Sequence, residues 1–125
     1  MRFPAIASLL AALTCWPPAL SAQGGWLLIQ RSPLAGSQYY ALGEHWAQLR
    51  VGDRLTLTRE PDNRHDPLAV RVSWQGHPLG YLPRAENAAV ARALDRGLRL
   101  VGRIARLTPH PDPWQRVVVE VHAGL

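Results

Sequence analysis

Two segments in which apolar and polar residues alternate most constrain what this chain can fold into. In RLTLTRE (54–60), Leu55 and Leu57 point to one face, while the first arginine and the threonines point to the other. LAVRVSW (68–74) alternates in the same way. Alternation with a period of two is typical of strands that bury one face. The sequence therefore predicts two half-buried strands in the middle of the chain.

Only one segment has the composition of a helix. RAENAAVARALDRG (84–97) is rich in alanine, and it ends in a glycine where a helix C-cap is expected. A doubly wound parallel sheet needs helices that alternate with strands, so this single helix excludes it. We predict a mainly β protein with minor α content: a small, bent sheet or partly closed barrel with one helix near residues 84–96. The strands expected beside the two above are 25–31, 77–83, 98–107 and 114–123.

The first 22 residues have the pattern of a secretory signal peptide. An arginine near the start precedes an apolar run over residues 5–16, and small residues follow within 19–22. This order of basic, apolar and small residues predicts cleavage after Ser21 or Ala22. We expect a single domain over residues 23–125.

The same segment leads us to expect a periplasmic or secreted protein. A cytoplasmic protein with a hydrophobic N-terminal extension, or with a misassigned start, is the alternative. The apolar run is shorter than the ~20 residues that a membrane-spanning helix needs, so we expect no membrane span in the mature chain.

The basic residues narrow the function further. All 14 of them are arginine, and the formal net charge is +5, which favours anionic partners. Because the chain has no lysine, it cannot form the G-x-x-x-x-G-K-[ST] phosphate loop, and this excludes an ATPase of that type. The single cysteine, Cys15, lies within the predicted signal peptide. The mature chain would therefore have no disulfide and no cysteine-ligated metal.

Catalytic and metal-binding patterns are weak. No G-x-S-x-G motif is present, and the five histidines are scattered, with no pair at helical i, i+4 spacing. His65, between Asp62 and Asp66, could serve as a general base held by a carboxylate, but such neighbours are common in turns. We therefore expect no enzyme activity, no cofactor and no metal.

The stretch REPDNRHDPLAVRV (59–72) is the most distinctive part of the chain. Its prolines, aspartates and asparagine are sufficient for a turn between two strands. They do not account for the nearby arginines, Arg59, Arg64 and Arg71, or for the Tyr39-Tyr40 pair. Aromatic rings beside arginines are typical of single-strand nucleic-acid sites. From these residues alone, a plain turn and a binding loop both remain open.

The order of these pieces resembles the HIRAN domain. That family's hallmark is R-E-P-x-N-x-x-D-x-x-A-[IV]-x-V followed by G-[YH]-[LIV]-[PK]-[RK], which REPDNRHDPLAVRV and GYLPR match at nearly every position. The match extends over roughly residues 26–122. The resemblance implies a small barrel related to the oligonucleotide-binding (OB) fold. Eukaryotic members lie at the N-terminus of fork-remodelling helicases and capture single-stranded DNA by its 3′ end.

The resemblance also implies a site. Asp66 would accept a hydrogen bond from the terminal 3′-hydroxyl, and Asn63 would help to hold that nucleotide. Tyr39 would stack on a terminal base, and Arg84 would bind phosphate. His65 lies where family members often have an aromatic residue. The predicted nucleic-acid-binding residues are Tyr39, Tyr40, Asn63, His65, Asp66 and Arg84.

Three functions follow, in order of preference. The first is a non-enzymatic module that binds single-stranded nucleic acid or DNA 3′ ends. The second is an exported envelope module that binds a protein or an anionic polymer. A hydrolase or nuclease is the last, because no cluster of acidic or metal-ligating residues stands out in the sequence.

Overall fold

The structure is a computed structural model that describes residues 25–125. The predicted signal peptide lies outside the described residues. Six antiparallel strands form one sheet, which confirms the predicted mainly β fold. The strands are β1 (Trp26–Pro33), β2 (Arg54–Glu60), β3 (Ala69–Trp74), β4 (His77–Tyr81), β5 (Leu100–Leu107) and β6 (Val117–Gly124).

The sheet curls towards closure. Its strand order is β1-β6-β5-β2-β3-β4, so β1 and β4 are the two edges. The residues that follow β1 return to β4, where Ala35 and Tyr81 exchange two backbone hydrogen bonds of 2.8 and 2.9 Å. The result is the partly closed barrel that the sequence predicted.

The core explains the alternating patterns. Leu55 and Leu57 of β2 are buried, while Arg54 and Thr56 are exposed. In β3, Val70 and Val72 are buried as the alternation predicts, and Ala69 and Ser73 on the other face are buried as well. The largest fully buried side chains include Leu34, Leu42, Leu79, Leu82, Val90, Ile104 and Val119.

The main helix is shorter than predicted. Residues Arg84–Glu86 form a 3₁₀ turn, and the α-helix runs from Ala88 to Asp95. The carbonyl of Glu86 accepts a hydrogen bond from the Gln30 side chain at 2.7 Å, instead of continuing an α-helical ladder. Gly97, with a φ of 84°, follows the helix as the sequence predicted.

The loop predicted between β1 and β2 contains short helical pieces. Helix α1 (Leu42–His45) lies between 3₁₀ turns at Ser37–Tyr39 and Trp46–Gln48, and α2 is the helix Ala88–Asp95. Leu42 and Leu49 are buried and hold this segment against the core. Within residues 25–125, no helix is both long enough and apolar enough to cross a membrane.

Candidate functional site

The loop between β2 and β3 is shaped by Asn63. Its Oδ1 accepts hydrogen bonds from the backbone N–H groups of His65 at 2.9 Å and of Asp66 at 3.2 Å. Its own backbone N–H donates to the carbonyl of Glu60 at 3.1 Å. An asparagine that bonds to the backbone two residues on is typical of a turn. The structure therefore confirms the predicted turn between β2 and β3.

Asp66 connects this loop to helix α2. Its Oδ1 accepts from the Leu68 backbone N–H at 2.9 Å, and its Oδ2 accepts from Asn87 Nδ2 at 2.7 Å. Asn87 is buried immediately before α2. An ionised carboxylate has about four lone-pair sites, so each oxygen can still accept a further hydrogen bond. Asp66 is thus held in place without being saturated.

Glu60, at the end of β2, binds three neighbouring side chains. Its Oε1 accepts from Tyr81 Oη at 2.8 Å and from Asn63 Nδ2 at 3.0 Å, and its Oε2 accepts from Arg71 at 3.1 Å. Burial by itself raises the pKa of Glu60. The hydrogen bonds and the positive charge of Arg71 outweigh burial, so the pKa of Glu60 lies below its ordinary value of 4.5. Glu60 therefore stays ionised and fixes the side chains beside the loop.

These elements border an open cleft of about 290 Å³. The loop forms one side, the segment after β1 forms another, and the end of β4 forms the floor. We call it the Asp66 cleft. Its lining residues are Ala35, Tyr40, Asn63, His65, Asp66, Ala69, Tyr81, Leu82 and Arg84.

Five of the six predicted site residues line the Asp66 cleft. Tyr39 does not; its side chain is exposed, at 79% of its maximum. Tyr40 contributes the aromatic ring instead, with its centroid 5.7 Å from that of Tyr81 in an edge-to-face arrangement. Burial and the hydrogen bond to Glu60 raise the pKa of Tyr81, so its hydroxyl stays protonated and donates.

The arginines near the cleft fall into two groups. Arg59 donates to both carboxylate oxygens of Asp95, at 2.9 and 3.2 Å, and to the carbonyl of Ala69. Arg71 pairs with Glu60. Arg64 and Arg84 are exposed, and neither forms a salt bridge within residues 25–125. Only this second group presents unneutralised charge to a ligand.

Two further observations concern metal binding and general-base catalysis. No group of three histidine, cysteine, aspartate or glutamate residues that could hold a metal ion occurs among residues 25–125. His65 is exposed, and in this part of the chain its ring makes no hydrogen bond to Asp62 or Asp66. The carboxylate-held histidine that the sequence suggested for this loop is therefore not formed among the described residues.

Comparison with known families identifies the chain. The sequence profile of the HIRAN domain matches residues 28–123. The chain belongs to the HIRAN domain family. The match spans all the strands except the first residues of β1 and the last residue of β6, and it includes the whole Asp66 cleft.

Solved structures show the same HIRAN fold. A protein from Lactobacillus plantarum superposes with a TM-score of 0.69 at 27% identity, over 79% of this chain and 95% of that one. The HIRAN domain of human HLTF superposes with a TM-score of 0.56 at 21% identity, over 81% of this chain and 78% of that one. The agreement confirms the small β architecture.

A curated relative comes from rice, Oryza sativa subsp. japonica. The Fanconi-associated nuclease 1 homolog is 42% identical over 53 residues, which are 39% of this chain. This chain spans only 6% of that nuclease's length.

Sequence reasoning did not single out three residues that line the Asp66 cleft or fix its side chains. Tyr81 lies in the floor of the cleft, and its signal was present, since it belongs to GYLPR. Glu60 also had a signal, because it is part of the REP motif at the end of a strand. Asn87 had none, since nothing local marks it as the partner of a carboxylate 21 residues earlier.

Proposed function

We propose that this HIRAN domain binds the 3′ end of single-stranded nucleic acid in the Asp66 cleft and catalyses no reaction. The observation that carries the proposal is the convergence of three kinds of group on one cleft. Tyr40 supplies an aromatic ring, Asp66 supplies a positioned hydrogen-bond acceptor, and Arg84 supplies a cation without a carboxylate partner among residues 25–125. A terminal nucleotide offers a base, a hydroxyl and a phosphate, and these are the matching partners.

Asp66 favours a hydroxyl end over a phosphorylated one. Its free lone pairs can accept the hydrogen of a 3′-hydroxyl, while its charge repels a 3′-phosphate. The bonds from Leu68 and Asn87 fix both carboxylate oxygens before any ligand arrives. Such pre-organisation reduces the entropy cost of binding.

The remaining groups suit the rest of the nucleotide. Rings at Tyr40 and His65 can stack on a base, as in other single-strand sites. Asn63 uses its Oδ1 on the backbone and one Nδ2 hydrogen on Glu60, which leaves one hydrogen to donate. We therefore assign Asn63 mainly to shaping the loop. Tyr39 lies outside the cleft lining, so stacking by Tyr39 stays a prediction.

Binding without catalysis is part of the proposal. The HIRAN resemblance implies a binding module, and the polar side chains described at the loop hold one another in place. The rice nuclease shares only a short segment with this chain, so its activity is not carried over. An assay of single-stranded and duplex DNA cleavage with Mg²⁺ and Mn²⁺ checks this part. We expect no cleavage; cleavage by the unmodified protein that is lost in Asp66→Asn would contradict a pure binding role for the cleft.

Fluorescence anisotropy with labelled strands tests end recognition. We expect tighter binding to a short oligonucleotide with a 3′-hydroxyl than to the same strand with a 3′-phosphate. In Asp66→Asn the preference should disappear, because the repelling charge is gone. Equal affinity for both ends in the unmodified protein would overturn the proposal.

Arg84 gives the second test. Arg84→Gln removes a charge-assisted phosphate contact worth about 1.5–3 kcal/mol, so we expect affinity to fall about tenfold or more. The salt dependence should also become shallower, by about 0.7 in the slope of log K against log salt. Arg92→Gln is the matched control, because Arg92 is exposed on α2 and is not a lining residue of the cleft. Equal losses in both variants would show that Arg84 acts only through net charge.

A further inference from the structure

The strand register places a row of charges across the sheet. Arg31 of β1 lies opposite Glu120 of β6, Glu120 lies opposite Arg103 of β5, and Arg103 lies opposite Arg54 of β2. Directly opposed residues of antiparallel strands point to the same face of a sheet. The four side chains therefore cross β1, β6, β5 and β2 on one outer surface.

A fourth arginine joins this surface. A bulge between Ile104 and Arg106 brings Arg106 opposite Val118, which is two residues before Glu120 and on the same face of β6. All four arginines are exposed. We call them the basic face: Arg31, Arg54, Arg103 and Arg106.

The basic face has one carboxylate in its row. Glu120 is shared between Arg31, at 3.5 Å, and the ring of His122, at 3.4 Å. Within residues 25–125, Arg54, Arg103 and Arg106 form no salt bridge. Three neighbouring cations on this surface are thus left without a charge partner in the described part of the chain.

The pairing of Arg54 with Arg103 is imposed by the core. The next pair in the register is Leu55 with Gly102, and both are buried. Shifting the register by one residue would turn Leu55 out of the core, so the two arginines cannot move apart along the strands. Like charges directly opposite each other destabilise a sheet. Arg103 donates to the carbonyl of Gly52 at 3.1 Å, which holds its side chain but leaves its charge in place.

The nearest carboxylate along the chain is engaged elsewhere. Asp53 Oδ2 accepts from the backbone N–H of Arg50 at 2.9 Å and from Trp74 Nε1 at 3.0 Å. A bound anion would relieve the repulsion between Arg54 and Arg103.

We propose that the basic face binds the phosphodiester backbone of a nucleic-acid strand, as a second contact site apart from the Asp66 cleft. Guanidinium groups bind phosphate oxygens in a two-pronged way, and several of them in a row match a polymer of phosphates better than a single ion. This inference goes beyond end recognition, because it concerns another surface and needs only a phosphate chain.

Strand β2 connects the two sites. Arg54 lies at its start, and Glu60, which fixes the cleft loop, lies at its end. Six residues of strand separate them by about 20 Å, at ~3.3 Å per residue. A nucleic-acid strand covers that distance in about six nucleotides at a stacked rise of ~3.4 Å. Oligonucleotides of two or three nucleotides should bind only in the cleft, and oligonucleotides of about twelve nucleotides should contact both sites.

The free protein gives the first test. In low salt, Arg54→Gln/Arg103→Gln should unfold about 1–5 °C higher than the unmodified protein, because the like-charge repulsion is removed. Tripolyphosphate should raise the Tm of the unmodified protein and have a smaller effect on this variant. Arg92→Gln/Arg96→Gln, which removes two exposed charges from α2 and its end, is the control and should show no gain in Tm. An equal tripolyphosphate effect in all three proteins would overturn the proposal.

Oligonucleotide length gives the second test. The Arg54→Gln/Arg103→Gln variant should bind a twelve-nucleotide strand with a salt slope lower by about 1.4, and a trinucleotide unchanged. If Arg92→Gln/Arg96→Gln lowers the salt slope for the twelve-nucleotide strand by the same amount, the second site is refuted. If end preference is absent but the length effect persists, end recognition fails while the basic face stands. If vesicles with 30% phosphatidylserine bind through these arginines and the twelve-nucleotide strand does not, the ligand is a lipid surface and the assignment to nucleic acid is wrong.

Discussion

At the scale of single residues, the polar side chains of the cleft loop bind mainly to one another. Asn63 forms the turn, Asp66 is held by Leu68 and Asn87, and Glu60 receives three side chains. Each group keeps a part of its hydrogen-bonding capacity for a ligand. The same residues can therefore shape a turn and form a binding site, and the two interpretations of the loop do not exclude each other.

Glu60→Gln should destabilise the domain by about 1–3 kcal/mol near neutral pH, because it leaves Arg71 without its carboxylate partner. The folded-state pKa of Glu60 is depressed below 4.5, so its contribution is complete above that pH and is lost as pH falls through the folded pKa. Urea unfolding of both proteins between neutral pH and about pH 3 measures this. Glu44→Gln is the control for loss of one charge, because Glu44 lies at an exposed position of α1. A stability difference that does not shrink in acid would contradict the role given to Glu60.

At the scale of elements, the meeting of β4 with the segment after β1 decides whether the cleft exists. Ala35 and Tyr81 close the barrel there, and Tyr40 follows five residues after Ala35. Gly80 allows this approach: its φ is 155°, and a Cβ atom at this position would overlap the carbonyl oxygen of Ala35. The close approach of two backbones here requires a glycine.

Gly80→Ala should lower stability by about 1–3 kcal/mol and weaken oligonucleotide binding, since it strains the backbone and moves the segment after β1 away from β4. Thermal unfolding and anisotropy measure the two effects. Gly43→Ala is the matched control, because a Cβ at Gly43 in α1 has no atom within 4 Å. That change should be neutral or slightly stabilising, as alanine favours a helix. Equal Tm values for the two variants would show that barrel closure tolerates a side chain at position 80.

At the scale of the whole molecule, we propose that the protein is exported by its N-terminal segment to the periplasm or the medium. Strand β1 begins at Trp26, so cleavage after Ser21 or Ala22 leaves all six strands intact. An excess of arginine over acidic residues then remains on the domain.

N-terminal sequencing of the protein purified from its native source tests export. We expect the mature chain to start at Ala22 or Gln23, following the small-residue pattern of the predicted cleavage site. Fractionation should place it outside the cytoplasmic membrane. A native N-terminus at Met1 or Arg2 in the cytoplasmic fraction would contradict export, and it would leave the binding proposals unchanged.

Local patterns predicted the strands and the end of the helix, and the resemblance to the HIRAN motif predicted the cleft residues. Leu55 and Leu57 identified a half-buried strand, and Gly97 identified the end of the helix, because periodicity and capping depend on a few adjacent residues. The motif residues Asn63, Asp66 and Arg84 indicated where the cleft lies, since each of them lines it. Fold class and most of the cleft lining could therefore be predicted from the sequence.

Contacts between distant residues were decided only by the tertiary structure. Gln30 donates to the carbonyl of Glu86, 56 residues later, Asn87 donates to Asp66, and Arg59 pairs with Asp95. The opposition of Arg54 and Arg103 depends on strand register, which the packing of the core determines. Sequence alone determined which segments form strands, and the motif match indicated which loop lines the cleft. The fold determined which charges remain free, because pairing depends on distances in space that local patterns do not encode.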